Sequence, residues 1–149
     1  MEKLEFKIII DAPKETVWNI LIGKNTYPEW TSVFCEGSRA ETDWKKGSKA
    51  LFVDDKNSGM VSIIEENEPY TFLSIKHLGE IKNGVENTES ERVKSWAGCY
   101  ENYTLKDIHN STLWIVEMDV TPEFALYMND LWPKAQLKVK QMAEASFSS

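Results

Sequence analysis

The chain has 149 residues, of which 42% are hydrophobic and 28% are charged, and its formal net charge is −7. This composition is typical of one globular domain, so we expect residues 1–149 to form a single domain, and it excludes a disordered or coiled-coil chain. The negative charge argues against nucleic acid and anionic membrane surfaces as partners, because both repel an acidic protein.

The first third of the chain predicts one strand followed by two short helices. Residues 4–10 place apolar side chains at every second position, which is typical of a half-buried strand. Asp11-Ala12-Pro13 then supplies a helix cap and a first-turn proline. The helix that follows has one apolar side, formed by Val17, Trp18, Ile20 and Leu21. A second short helix is predicted between Lys24 and Trp30.

The middle of the chain, from Ser32 to about Val120, has the pattern of short strands separated by turns. Turn residues such as Asn57-Ser58-Gly59 and Asn83-Gly84 predict antiparallel hairpins. The segments between them are too short for the crossover helices of a parallel sheet. The predicted strands cover residues 51–53, 60–64, 70–78, 99–106 and 112–120. The polar segment from Glu80 to Ser95 is predicted to be a mobile loop or a frayed strand end.

After Thr121-Pro122 the apolar period becomes helical. Apolar residues at steps of three and four form one stripe: Phe124, Met128, Leu131, Ala135, Val139 and Met142. Pro133 lies within this stripe and removes one backbone hydrogen bond, so we expect a bend there. The element order predicts an α+β fold, in which a seven-stranded curved antiparallel sheet wraps around a long C-terminal helix. Such a fold tends to leave a cavity between sheet and helix.

Four segments carry a family resemblance: residues 10–18, 44–48 and 96–105, and the C-terminal helix with Trp132 and Leu137-Lys138. They resemble the START-like, helix-grip superfamily (SRPBCC), which includes polyketide cyclases and birch-pollen-allergen relatives. More narrowly, they are similar to the branch named after activators of a heat-shock-chaperone ATPase. The resemblance implies an interior cavity that often holds an apolar small molecule. Chaperone stimulation does not carry over from the resemblance, because the sequence has no counterpart of the chaperone-contacting segment that precedes this domain in the eukaryotic activators; chaperone contact stays possible but unsupported.

His77 is the first candidate for a functional residue. It shares a strand face with Leu73 and Ile75, so it lies on the inner face if those two residues line the core. There it is either a ligand-binding group or general base, or a structural histidine paired with a neighbour. The structural interpretation is favoured, since most buried polar groups are simply paired.

Glu101 is the second candidate, because it shares a strand face with Tyr103 and Leu105. If this face is turned inward, the carboxylate must be paired or protonated, since an isolated buried charge is very costly. His77 and Glu101 would then pair across the cavity as an acid–base dyad. If the sheet twists the other way, Glu101 is solvated, and the sequence leaves both alternatives open.

The predicted ligand contacts combine three polar groups with an apolar lining. They are His77, Glu101 and Tyr103, with Trp30, Trp96, Trp114, Met128 and Trp132. Trp30 and the segment from Glu80 to Ser95 are expected to flank the entrance. No cofactor or metal is predicted, because the sequence has no nucleotide-binding glycine motif. Its two histidines and two distant cysteines, Cys35 and Cys99, make a poor zinc site.

Three functions follow as hypotheses. The leading one is a cytoplasmic, non-enzymatic domain that encloses a small hydrophobic or amphipathic ligand. The second is a cyclase- or hydrolase-like enzyme that uses His77 as base and Glu101 or Tyr103 as proton relay. The third is an interaction protein that regulates a chaperone, which requires an exposed apolar patch. The sequence has neither a secretory signal nor a membrane span, and the open sheet edges are able to pair in a homodimer.

Overall fold

A curved antiparallel sheet and one long helix form most of the chain, which the computed structural model describes for residues 1–148, with side chains through residue 147. Within these residues the strands are β1 (Glu2–Ile10), β2 (Arg39–Glu41), β3 (Lys49–Val53), β4 (Gly59–Glu68), β5 (Phe72–Lys82), β6 (Val85–Asn87), β7 (Cys99–Ile108) and β8 (Ser111–Val120). The helices are α1 (Lys14–Leu21), α2 (Tyr27–Thr31), α3 (Glu91–Lys94) and α4 (Pro122–Ser148). This is the helix-grip fold, so the predicted fold class is confirmed.

The strands pair in the order β1-β8-β7-β5-β4-β3-β2, and β6 pairs with the end of β5. The described residues form eight strands instead of the predicted seven. The sequence pattern did not locate β2 and β6, because each has only three residues and a period of two cannot be recognised over that length. The two short helices predicted after the first strand are present as α1 and α2.

The segment from Glu80 to Ser95 is ordered rather than a loop. β5 continues to Lys82, β6 folds back on it, and α3 follows. The Ser90 hydroxyl caps α3 by accepting a hydrogen bond from the Val93 N–H at 3.3 Å. Arg92 in α3 then reaches back to Glu80 in β5. These contacts hold the segment from Glu80 to Ser95 against the sheet, where β6 and α3 form an outer wall of the protein.

The helix α4 is continuous through Pro133, and its inner stripe shares Met128, Ala135 and Val139 with the predicted one but begins at another residue. The inward residues are spaced by three and four: Ala125, Met128, Trp132, Ala135, Val139 and Ala143. Phe124 is 56% exposed, so the prediction placed the first turn in the wrong register. Three of the inward residues are alanines, which carry little hydropathy signal but let a helix pack closely. No helix of the described residues has the length and hydropathy that crossing a membrane requires.

Four aromatic rings meet in the core where α2, the sheet and α4 converge. Trp30, Tyr103, Trp114 and Trp132 contact one another with ring centroids 5.7 to 6.4 Å apart. Pairs in such tilted and edge-to-face arrangements each add about 0.5–1.5 kcal/mol beyond the burial of their surface. This aromatic cluster fixes α2 and α4 against the inner face of the sheet.

Candidate functional site

A cavity of about 410 Å³ lies between the inner face of the sheet, α2 and α4. Its wall is mostly apolar and aromatic. Rings from every side contribute to it: Tyr27, Trp30, Phe34, Phe52, Trp96 and Trp132. Met128 of α4 and Ile75 of β5 are further members of the apolar lining. Three polar side chains of the sheet, His77, Glu101 and Tyr103, interrupt this wall at one place.

These three side chains and Ser62 form a continuous hydrogen-bonded chain, which we call the polar quartet. Ser62 Oγ lies 2.6 Å from His77 Nδ1, and His77 Nε2 lies 3.0 Å from Glu101 Oε1. The Tyr103 hydroxyl donates a hydrogen bond to Glu101 Oε2. The side chains of His77 and Glu101 are 12% and 20% exposed, whereas Ser62 is fully buried. Both carboxylate oxygens of Glu101 therefore accept a hydrogen bond within the quartet.

Strand register brings the quartet together. Glu101 lies opposite Ile75 on the neighbouring strand, so His77 is its diagonal neighbour on the same face. On the other side of β5, the register shifts between Val61 and Ser62, because Val61 pairs with Gly79 and Ser62 pairs with His77. This β-bulge adds one residue to β5 and sets Ser62 directly against His77. Without it, Ser62 would face Leu78.

The hydrogen bonds also constrain the proton positions in the quartet. A carboxylate only accepts hydrogen bonds, so His77 donates through Nε2–H, and Nδ1 accepts from the Ser62 hydroxyl when the ring is neutral. Burial, with the Glu101 charge adding to it, raises the pKa of Tyr103 well above its ordinary value. Tyr103 consequently remains a protonated donor. Two donors converge on Glu101, and this is how the fold accommodates a carboxylate on an apolar wall.

The other charged side chains of the cavity wall are paired. Arg92 contacts both carboxylate oxygens of Glu80, at 2.5 and 3.2 Å. The Asp119 carboxylate accepts hydrogen bonds from Lys3 at 2.8 Å and from the Tyr100 N–H at 3.0 Å. Burial alone would raise the pKa of Asp119, but these hydrogen bonds lower it below its ordinary value. The Glu80–Arg92 pair is mostly on the solvent side, since the Arg92 side chain is 62% exposed.

The structure brings all but one of the predicted site residues to the cavity wall: His77, Glu101, Tyr103, Trp30, Trp96, Met128 and Trp132. Trp114 does not line the cavity. It is fully buried against the rings of Trp30, Tyr103 and Trp132, whereas Met118 and Val120, further along the same face of β8, do line the cavity.

Two further expectations need correction. Trp30 was expected at the entrance, but it is 1% exposed and its Nε1–H donates to the Leu21 carbonyl at 3.2 Å, so it lies at the inner end. His77 and Glu101 do pair, but side by side on one sheet face rather than across the cavity.

Sequence reasoning missed Ser62, although it completes the quartet. A single serine in a strand gives no functional signal, and its partner was fixed only by the bulge. Ser62 orients the His77 ring but does not line the cavity, so it is not placed to attack a bound molecule. Within the described part of the chain, no cluster of three His, Cys, Asp or Glu side chains could hold a metal ion.

No family model matches the sequence, and no curated protein matches it significantly. Solved structures match nearly its whole length. The Aha1 dimer from Colwellia psychrerythraea is 18% identical with a TM-score of 0.74, over 97% of both chains. A protein from Mesorhizobium loti is 15% identical with a TM-score of 0.74, over 97% of this chain and 98% of that chain. DynU16, from the dynemicin biosynthetic locus, is 13% identical with a TM-score of 0.73; the match covers 99% of this chain but 49% of DynU16. At these identities the similarity shows the fold alone.

Proposed function

We propose that this chain is a binding domain that encloses a small apolar or amphipathic molecule between the curved sheet and α4. The observation that carries the proposal is a cavity of about 410 Å³ whose mostly apolar wall includes the hydrogen-bonded side chains of His77, Glu101 and Tyr103. Cavities of about 300–1,000 Å³ with a few placed polar side chains are typical of small-molecule sites. The aromatic wall would supply most of the binding free energy, at about 25 cal/mol for each Å² of apolar surface removed from water.

The polar quartet supports a binding role because stability alone does not account for it. Withdrawing Glu101 and His77 from water is costly, and buried ion pairs stabilise a fold no better than apolar residues of the same size. A wall selected only for stability would carry apolar residues at these positions. A group that orients a ligand gives a reason for the carboxylate to be retained there.

Mass spectrometry of the protein purified under mild conditions tests the proposal. We expect a small molecule bound in a 1:1 complex under native conditions and released by denaturing solvent. Met128→Trp fills the cavity from α4 and should abolish the complex. Leu126→Trp is the matched control, because Leu126 lies on the same helix, is 82% exposed and should leave binding intact. Equal occupancy in the two variants would contradict the proposal.

A cyclase- or hydrolase-like enzyme is the second candidate, and the 3.0 Å contact between His77 and Glu101 on the cavity wall favours it. Both ring nitrogens of His77 are already hydrogen-bonded, so Glu101 would be the group that accepts a proton from the substrate. Incubation of the extracted molecule with the purified protein separates the two functions. A binding domain returns the molecule unchanged, whereas an enzyme converts it and loses this activity in Glu101→Gln.

A further inference from the structure

The polar quartet offers a ligand hydrogen-bond acceptors but no donors. The two ring nitrogens of His77 are used by Ser62 and Glu101, and the Tyr103 hydroxyl proton is used by Glu101. Lone pairs remain free on the Tyr103 hydroxyl and on the Glu101 carboxylate, which can accept about four hydrogen bonds in all. A molecule that meets this group must therefore bring its own donor.

The charge of the cavity wall points in the same direction. Glu80 is paired with Arg92, and Asp119 is paired with Lys3. Among the described residues, no lysine or arginine lies within ion-pair distance of Glu101. When His77 is neutral, no lysine or arginine therefore offsets the negative charge of Glu101, in contrast to the charges of Glu80 and Asp119.

Aromatic rings pack against the two side chains that are hydrogen-bonded to this carboxylate. Tyr103 meets Trp30 at a centroid distance of 6.4 Å, and Phe52 meets the His77 ring at 6.2 Å. Burial, followed by the charge of Glu101, raises the pKa of Tyr27, which places a third ring within the field of the carboxylate. Aromatic faces attract cations, most strongly where water is excluded. Carboxylate and rings together favour a positive group and oppose a negative one.

We propose that the bound molecule is a compact apolar amine, with its ammonium group hydrogen-bonded to Glu101 and its apolar body against the aromatic wall. This inference rests on the proposed binding function and narrows it to one ligand class. An apolar carboxylic acid would face Glu101 without a compensating cation, which is unfavourable in a partly desolvated site. A neutral alcohol would form the hydrogen bond without the ionic contribution.

Three probes that share a naphthyl body test the inference: 2-(1-naphthyl)ethylamine, 2-(1-naphthyl)ethanol and 1-naphthylacetate. Their affinities for the wild-type protein are measured by calorimetry at neutral pH. Hydrogen bonds to charged groups contribute about 1.5–3 kcal/mol, so we expect the amine to bind at least about tenfold more tightly than the alcohol. The acetate should bind most weakly.

Two variants test whether Glu101 causes the preference for the amine. Glu101→Gln should weaken the amine by about tenfold and leave the alcohol within about threefold of its wild-type affinity. Glu117→Gln removes a carboxylate that is exposed on β8 and lies outside the cavity wall, so it should leave the amine affinity unchanged. Circular dichroism checks that both variants are folded, and the wild-type comparison stands without them.

Each outcome decides one question. If none of the three probes binds, the inference falls, and the proposed function is then judged by the extraction experiment. If the alcohol or the acetate binds as tightly as the amine, the cavity binds ligands but the amine inference is wrong. Equal weakening in Glu117→Gln and Glu101→Gln would assign the preference to the overall charge of −7 and would also overturn the inference.

Discussion

Ser62 Oγ lies 2.6 Å from Nδ1 of His77, because one extra residue in β5 places these two side chains directly opposite each other. This contact leaves only Nε2 of His77 to face Glu101. The orientation of the ring is thereby set by a buried hydroxyl that does not line the cavity. Ser62 acts as a positioning residue, and its effect should be visible in the histidine itself.

The first prediction concerns the tautomer of His77. Neutral His77 should carry its proton on Nε2, because Glu101 accepts there and Ser62 donates to Nδ1. Long-range ¹⁵N–¹H correlation spectra distinguish the two tautomers, and exposed His109 serves as internal reference. Ser62→Ala should shift the Nδ1 resonance, because that nitrogen loses its hydrogen-bond partner, while the proton stays on Nε2 beside Glu101. The lost hydrogen bond should lower the free energy of unfolding by about 1 kcal/mol.

Ser74→Ala is the control for this experiment. Ser74 is 4% exposed on β5, but it lies on the strand face opposite to His77. Its removal should leave the His77 signals unchanged. A wild-type spectrum with the proton on Nδ1 would show that the hydrogen bonds of the quartet run in another direction.

The second prediction concerns Gly79, against which the wall formed by β6 and α3 packs. A Cβ atom at this position would lie 2.4 Å from the Asn87 carbonyl oxygen and 2.7 Å from Thr88 Cγ2. Gly79→Ala should therefore displace this wall and destabilise the protein by about 1–3 kcal/mol. Hydrogen exchange should accelerate in residues 85–94 and leave β8 and α4 protected.

Gly84→Ala separates steric displacement from backbone strain in the same hairpin. Gly84 has a φ of +82°, but a Cβ atom added there would meet no heavy atom within 4 Å, so strain is the only cost. Its effect should stay within the turn and leave exchange in α3 unchanged. If both variants opened α3 equally, close packing at Gly79 would not be what holds the wall.

The fold was predictable because its signals are long and periodic. Ten-residue strands such as β7 and β8 and the 27-residue helix α4 repeat their apolar positions often enough to be recognised. The same periodicity grouped His77 with Leu73 and Ile75, and Glu101 with Tyr103, but left open which faces are inward. The structure turns both groups inward. Contact between them then followed from antiparallel pairing, which sets diagonal neighbours side by side.

The remaining features depend on register, which the sequence does not encode locally. Counting every second residue from His77 predicts that Gly79 and Ile81 line the cavity. The bulge shifts this alternation by one residue, so Glu80 lines the cavity instead. Trp114 shares its face of β8 with Met118 and Val120 of the cavity wall, and alternation cannot show that neighbouring rings cover Trp114 itself. Ser62 could be assigned only once its partner across the sheet was known.

The last prediction concerns alkaline pH and the buried tyrosines. Burial, with the Glu101 charge adding to it, raises the pKa values of Tyr27 and Tyr103 well above the ordinary value of 10.0. A raised pKa in the folded state means that the stabilisation is complete below about pH 10 and is lost as pH rises further, since the unfolded phenols ionise first. Tyrosinate absorbance at 295 nm, followed with circular dichroism, should show these two phenols ionising only as the chain unfolds.

Tyr103→Phe should reduce the slope of stability against pH by about one proton, whereas Tyr70→Phe, at an exposed turn, should leave it unchanged. Ionisation of all five tyrosines while the fold remains intact would contradict the burial of Tyr27 and Tyr103.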